Sequence, residues 1–232
     1  MKKPYNKVVS MEEAMGHFFD GMTIMFGGFG GVGSPPGLIT SILEKGIKNI
    51  TLIGNDTGFP DIGIGQLIKH KRVKKVIASH IGSNPIAGEL MSSGQMEVEF
   101  SPQGILAERM RAGGVGLEGI ITEIGADNEY LAEGKETITI GPKKCVIETA
   151  LTAKVSILYA KKADEFGNLI YDKSARNTNP IVAMAGEWTI VEAEEIVPFG
   201  SICAEEIITP GVFVDMVVPS KGVNWTWAWE KQ

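Results

Sequence analysis

Three places in this sequence hold residues whose types suit chemistry on a small ligand: the stretch Gly27-Gly28-Phe29-Gly30-Gly31-Val32-Gly33, then Asn55, then Gln103. Five glycines in seven residues leave the backbone nearly bare. Such a run costs entropy on ordering and packs nothing, so it is kept where the chain turns through positive φ or comes very close to a ligand. The apolar residues 22–26 read as a short strand, Ser34 as a helix N-cap and Pro35 as a first-turn proline, which puts the glycines between a strand end and a helix N-terminus. Main-chain N–H groups and the helix dipole then face an anion. Gln103 stands in Ser101-Pro102-Gln103-Gly104, a second strand-to-helix junction with Ser101 as its cap, and Asn55 follows an apolar run at 50–53. In an open α/β sheet ligands collect at the carboxyl ends of strands, where all three would lie.

Other chemistries fit less well. Gly28-x-Gly30-x-x-Gly33 satisfies the dinucleotide fingerprint, but Ser34-Pro35-Pro36 delays the helix beyond the third glycine, and no unambiguous acid ends the second strand, where Asn55-Asp56 follows Gly54. His17, His70 and His80 have no partner at ligand spacing and read as ordinary surface or core residues. Cys145 and Cys203 stand alone, without a Cys-x-x-Cys, and read as buried structural thiols; no metal site is suggested. Residues 69–75 form a basic cluster that reads as a solvated helix end, and Arg176 is an anion clamp without a visible partner.

The elements that must position these residues alternate. A capping box, Ser10-Met11-Glu12-Glu13, opens a first helix whose apolar face runs through Ala14, Met15, Phe18 and Phe19 to a stop at Asp20-Gly21. Helices are predicted after Gly37 (ending at Gly46), near 64–70, near 86–93 and over 102–112, and strands at 22–26, 50–53, 73–79, 96–100 and 119–121. Strands alternating with helices imply α/β architecture: a mostly parallel open sheet with helices on both faces. Past residue 125 the pattern turns antiparallel, with a hairpin of 137–140 against 145–148 and residues 169–171 pairing with 155–160; a helix near 180–185 and strands at 188–191 and 212–217 complete the chain. No internal repeat is visible, and residues 1–232 read as a single domain. Trp225, Trp227 and Trp229 alternate, which in a strand places them on one face, packed back on this chain or filling a groove on a partner.

The net charge of −6 argues against nucleic acid or an anionic membrane as a partner of the whole surface. The opening residues lack the apolar core of a signal peptide and no run approaches a membrane span, a cytoplasmic pattern.

Asp20-Gly21-x-x-Ile24-Met25-Phe26-Gly27-Gly28-Phe29-x-x-x-Gly33-x-Pro35 closely resembles the signature of the A subunit of class I CoA-transferases. Ser101-Pro102-Gln103-Gly104, Leu106-Ala107-Glu108-Arg109, Arg111-Ala112-Gly113-Gly114, Ser174-Ala175-Arg176-Asn177-x-Asn179-Pro180, Val191-Glu192-Ala193-Glu194-Glu195-Ile196 and Thr209-Pro210-Gly211 extend the resemblance in the same order, from about residue 8 to 218. Asn55-Asp56-Thr57-Gly58 and Ser79-His80-Ile81-Gly82-Ser83-Asn84-Pro85 are most similar to the bacterial acetate/butyrate:acetoacetate type.

The resemblance implies transfer of CoA between a short-chain acyl-CoA and a free carboxylate through a glutamyl-CoA thioester. In that family the nucleophilic glutamate sits in a Ser-Glu-Asn-Gly context on the B subunit, and no Glu-Asn-Gly occurs here. A B subunit is thus the implied partner, coenzyme A a substrate rather than a tightly bound cofactor, the glycine loop (Gly27 to Gly33, with Phe29 and Val32) and Asn55 the substrate wall, and Gln103 a supporting polar group. Thr122-Glu123-Ile124-Gly125 departs from the family's Thr-Pro-Thr-Gly, and the tryptophan tail is atypical. Two other readings stand beside this one: a non-catalytic sensor of a phosphorylated metabolite, and an NAD-binding dehydrogenase.

Overall fold

The computed structural model describes residues 5–227 and 230. Helix α1 (Met11–Met15) opens where Ser10 accepts the Glu13 amide at 3.0 Å. It is shorter than its apolar pattern suggested: Phe18 is buried beyond its end, whereas Phe19 is 53% exposed. Alternation then follows through β1 (Thr23–Phe26), α2 (Pro36–Lys45), β2 (Ile50–Ile53), α3 (Gly65–Lys69), β3 (Val73–Ala78), α4 (Pro85–Ser92), β4 (Glu97–Phe100) and α5 (Gln103–Gly114). The remaining elements are β5 (Gly119–Thr122), α6 (Glu129–Ala132), β6 (Thr137–Ile140), β7 (Lys143–Thr149), β8 (Ala153–Asp164), β9 (Leu169–Ile170), α7 (Asn179–Val182), β10 (Gly186–Val197) and β11 (Met216–Pro219).

The main sheet runs β11-β10-β8-β1-β2-β3-β4, all parallel, with β9 antiparallel on β8. Side chains alternate between its two faces as the pleat requires. Ile24, Phe26, Leu52, Val76 and Ile157 meet α1 to α4 on one face, and Met25, Ile53, Ile77 and Leu158 meet α5 and the α7 segment on the other. This is the expected open sheet wrapped on both sides. Chain order reverses between neighbours β1 and β8, since β2 to β4 build outward on one side and β10 and β11 on the other. A crevice opens at such a switch point, beyond the carboxyl ends of the strands.

The second half differs in detail from the sequence reading. β8 and β10 are 12 residues each and belong to the parallel sheet. The antiparallel parts are β9 and a separate β5-β7-β6 sheet, which takes up the apolar 119–121 run. β9 pairs with Lys162 and Ala163, not with 155–160, because the turn after Asp164 is tight. The Asp164 carboxylate accepts the amides of Phe166 and Asn168 at 3.0 and 2.9 Å, which keeps the return strand beside its origin. Residues 211–213 form a 3-10 turn, so the last strand starts only at Met216.

Ser10 caps α1 as predicted, but the other two predicted serine caps, Ser34 and Ser101, are wrong. Two consecutive prolines shift the start of α2, so Pro35 is the N-cap and the buried Ser34 hydroxyl donates back to the Gly27 carbonyl at 3.2 Å. Pro102 caps α5, and the buried Ser101 Oγ finds no hydrogen-bond partner among the described residues. Cys145 is buried as expected, but Cys203 is exposed. No helix among the described residues is long and apolar enough to cross a membrane.

Candidate functional site

The glycine loop leaves β1 at the switch point. Phe29 and Val32 exchange both main-chain hydrogen bonds at 3.0 Å, closing a tight hairpin over Gly30 and Gly31, and the Phe29 ring is 53% exposed. Two glycines show why side chains are absent. A Cβ on Gly27 would lie 1.8 Å from Asn179 Oδ1, and one on Gly31, already at φ +94°, would lie 2.4 Å from Ile62. Asn177 and Asn179, after β8, clamp the loop from across the crevice. Asn177 accepts the Gly28 amide (3.0 Å) and donates to the Val32 carbonyl (2.9 Å), and Asn179 donates to the Gly33 carbonyl (3.0 Å).

The expected anion cradle exists, but the protein's own carboxylates occupy it. Asp56, 4% exposed, accepts the Gly30 amide at 2.9 Å through Oδ2 and the Gly58 amide at 2.7 Å through Oδ1. At the N-terminus of α2 the fully buried Glu192 accepts the Leu38 amide at 3.0 Å and the Ser220 hydroxyl at 2.6 Å. Burial pushes the Glu192 carboxyl up from its ordinary value, against the opposing pull of Ser220 and the Leu38 and Gly37 amides. With Asp56 turned into the loop, the acid after β2 is not free to hold a ribose, which removes the structural basis of the dinucleotide reading.

Asn55 and Gln103 meet. Gln103 Nε2 donates to Asn55 Oδ1 at 3.0 Å, and Asn55 Nδ2 donates to Asp56 Oδ2 at 2.9 Å. These residues, with Phe29, Gly30, Phe59, Ser79, His80 and Ser83, line an open cavity of about 250 Å³ at the carboxyl edge of the sheet. The predicted Gln103, Asn55, Phe29 and Gly30 thus share one cavity, whereas Gly27, Gly28, Gly31, Val32 and Gly33 form its supporting loop. A larger cavity of about 360 Å³, between α2 and residues 219–224, shares none of its residues.

Phe59 belongs to a second loop that copies the first. Phe59 and Ile62 form the same antiparallel bridge as Phe29 and Val32, and Gly28, Phe29, Val32 and Gly33 recur as Gly58, Phe59, Ile62 and Gly63, each 30 positions on. The chain therefore does carry a short internal repeat, with loop packed on loop: a Cβ on Gly63 would lie 3.1 Å from the Gly31 Cα. Asp56, Phe59, Ser79, His80 and Ser83 in the cavity lining, and Asn177 and Asn179 on the loop, are residues the sequence reading did not single out as site residues. The 30-residue echo was the available signal for Phe59.

The remaining candidates fall elsewhere. His17 packs on Trp188 with ring centroids 4.1 Å apart, and His70 Nδ1 lies 2.8 Å from the Gln66 carbonyl; of the histidines only His80 reaches the cavity. In the basic cluster Lys75 pairs with Glu97 and Glu99 at 2.8 and 3.1 Å, hydrogen bonding that raises its pKa. Arg176 is exposed. Residues 220–227 form no strand, so Trp225 and Trp227 do not share a strand face. Trp225 and Trp227 meet edge to face at 5.6 Å, and a Cβ on Gly31 would lie 3.2 Å from the Trp227 ring, so the tail packs back on its own glycine loop. Trp229 lies outside the described residues. No group of three metal-ligating side chains occurs among the described residues.

Comparison with known proteins agrees with this fold. The family model for Coenzyme A transferase matches residues 8–220. The probable coenzyme A transferase subunit alpha of Bacillus subtilis (strain 168) is 58% identical over 98% of this chain and 99% of its own. The acetate CoA-transferase subunit alpha of Escherichia coli (strain K12) is 46% identical over 93% and 97%. The acetoacetyl-CoA:acetate/butyrate CoA transferase alpha subunit of Clostridium acetobutylicum is 44% identical over 92% and 97%. An acyl-CoA transferase from Escherichia coli O157:H7, solved as a thioester complex with CoA, has the same fold at a TM-score of 0.81 and 22% identity over 93% of this chain, which spans 47% of that one. Glutaconate coenzyme A-transferase from Acidaminococcus fermentans likewise shares the fold, with a TM-score of 0.81 and 20% identity over 92% of this chain and 75% of that one. With a family match across nearly its whole length and relatives 44–58% identical over more than nine-tenths of both chains, the chain belongs to the Coenzyme A transferase family.

Proposed function

We propose that this chain is the A subunit of a cytoplasmic, two-subunit CoA-transferase that moves CoA between a short-chain acyl-CoA and acetate, butyrate or acetoacetate, with residues 1–232 acting as one domain. The observation that carries the reading is the convergence of Gln103, Asn55 and the glycine loop on one small open cavity, in a chain without a Glu-Asn-Gly nucleophile context.

On this reading the nucleophile enters from a B subunit. Its glutamate oxygen attacks the thioester carbonyl carbon, and the tetrahedral intermediate expels CoA thiolate to leave an acyl-glutamyl anhydride. The thiolate then attacks the glutamyl carbonyl, releasing the acyl group as a carboxylate and leaving glutamyl-CoA; the acceptor acid runs the two steps in reverse. CoA arrives and departs as substrate, so the reaction requires no tightly held cofactor. Each tetrahedral intermediate places negative charge on an oxygen that needs a donor. Gln103 Nε2 spends one N–H on Asn55 and has no second partner among the described residues, which leaves a donor at the cavity mouth. The bare glycine loop lets the reacting group come close to the backbone, and binding energy from the rest of CoA is available to the reacting centre.

The test is reconstitution. Purified alone, the chain shows no CoA transfer; with the glutamate-bearing subunit it exchanges CoA between acetoacetyl-CoA and acetate by ping-pong kinetics. Transfer by this chain alone would overturn the two-subunit reading. An absorbance change with a nicotinamide cofactor would point to the dehydrogenase, and binding of a phosphometabolite without any transfer in the complex to the sensor.

A further inference from the structure

We infer that Asp56 is a positioning residue for the transfer step: through Asn55 it fixes which end of the Gln103 amide faces the cavity. The inference rests on the role proposed above for Gln103.

The argument is one of hydrogen-bond polarity. A carboxylate can only accept, and Asp56 accepts three N–H groups: Gly30 and Asn55 Nδ2 on Oδ2, both at 2.9 Å, and Gly58 on Oδ1 at 2.7 Å. The Asn55 side chain, 3% exposed, must therefore turn its amino group to Asp56 and its oxygen the other way. That oxygen receives Gln103 Nε2 at 3.0 Å, and the Ser79 hydroxyl is shared between it at 3.2 Å and the Asn55 main-chain carbonyl at 2.8 Å. Gln103 is exposed and would otherwise rotate and flip freely. Facing an oxygen, it presents nitrogen to Asn55, and its second N–H is the donor left for substrate. The same carboxylate ties the glycine loop at Gly30 to the twin loop at Gly58, so the donor and the two walls share one anchor.

Asp56→Asn removes the obligatory acceptor while keeping the shape. One amide oxygen cannot serve both sides: with Gly58 satisfied, an amino group faces the Gly30 amide and Asn55 Nδ2, donor against donor. Asn55 relieves this by flipping, and Gln103 must then turn its oxygen to Asn55, so that the donor leaves its place at the cavity. Asn55→Ala cuts the relay at its middle and leaves Asp56 its bonds to both loops, a second route to the same answer where Asp56→Asn fails to fold.

The experiment uses the complex with the B subunit and measures kcat and KM for acetoacetyl-CoA in the Q103A, D56N, N55A and N55A/Q103A variants, with melting curves alongside. Q103A is expected to lower kcat by about 100-fold, the usual scale for one oxyanion donor. D56N and N55A should each lower kcat about 10-fold or more with KM within about two-fold, because a contact made only in the transition state is lost. The decisive readout is non-additivity in the pair that leaves both loop anchors intact: N55A/Q103A should be no slower than Q103A, since a residue that acts through Gln103 has nothing left to act on. Losses that multiply, or a rise in KM with unchanged kcat, would overturn the relay while leaving Gln103 its role. An unchanged kcat in Q103A would instead overturn the reading of Gln103 itself.

Discussion

Replacing Asn179 tests how the glycine loop is held. The side chain is fully buried; Nδ2 donates to the carbonyls of Gly33 and Ala175 at 3.0 and 2.9 Å, and Oδ1 accepts the Tyr159 amide at 3.4 Å. That amide lies two residues past the last β1–β8 pair, Phe26 with Ile157, so Asn179 continues the ladder where β1 has turned away. In Asn179→Ala the Ala175 carbonyl keeps Asn177 Nδ2 at 3.2 Å, which leaves two groups newly orphaned, Gly33 C=O and Tyr159 N–H. At about 1–3 kcal/mol for each buried unsatisfied group, the expected loss is centred near 4 kcal/mol. For a chain of this size that is a fall in Tm of about 8–16 °C. Asn179→Asp, nearly isosteric, should be worse at neutral pH, because a carboxylate then faces two carbonyl oxygens with no proton to offer. Its deficit should shrink on acidification, when the protonated carboxyl donates one hydrogen bond again. Chemical denaturation of the three proteins between pH 4.5 and 7.5 reads both effects. A loss under about 1 kcal/mol in the alanine variant, or an aspartate variant as stable as it at pH 7, would refute the clamp.

Two further outcomes follow from buried groups. The Glu192 carboxyl is raised by burial, so between the unfolded value of about 4.5 and its folded pKa the native state holds a proton that the unfolded chain has released. Stability from this group is therefore lost as pH rises through that window and is level above it; Glu192→Gln should remove that slope, and parallel stability curves for the two proteins would contradict it. In Gly54→Ala the new Cβ would lie 2.3–2.7 Å from the buried Phe26 ring, an overpacking that costs about 1–3 kcal/mol. Phe26→Leu should recover part of that loss in the double variant, and simple addition of the two losses would show that the clash is relieved elsewhere.

The strand and helix pattern from 22 to 114 was legible because each element follows its own period, apolar on one face or in one buried run. The glycine loop, Asn55 and Gln103 were legible because strand-to-helix junctions of a parallel sheet share an edge, whatever the details. What stayed hidden depends on partners distant in sequence. Asn177 reaches Gly28 across 149 positions and Glu192 reaches Leu38 across 154, and no local pattern announces either bond. The serine caps failed for a related reason. A cap signal is local, but the hydroxyl of Ser34 found a better acceptor in Gly27, seven residues back, once two prolines had moved the helix start. The echo of Gly58-Phe59 with Ile62-Gly63 matches three positions and substitutes Ile for Val at a fourth, too little to stand out by eye until both loops are seen to close the same bridge.

The two buried carboxylates change what a glycine run at a helix N-terminus means here. Bare amides beside a helix dipole ordinarily favour a phosphate. In this chain Asp56 holds the Gly30 amide and Glu192 the first amides of α2, so an incoming phosphate would have to displace a carboxyl group already hydrogen-bonded there. A neutral thioester meets no such penalty on approach. It gains charge only as it reacts, and then on one oxygen, where a single well-oriented N–H is worth most. On the function proposed above, the loop supplies closeness rather than charge, and the spare N–H of Gln103 supplies the donor. On that reading, the carboxyl groups that stand in the way of a phosphate are also what keep the loop shut and the donor aimed.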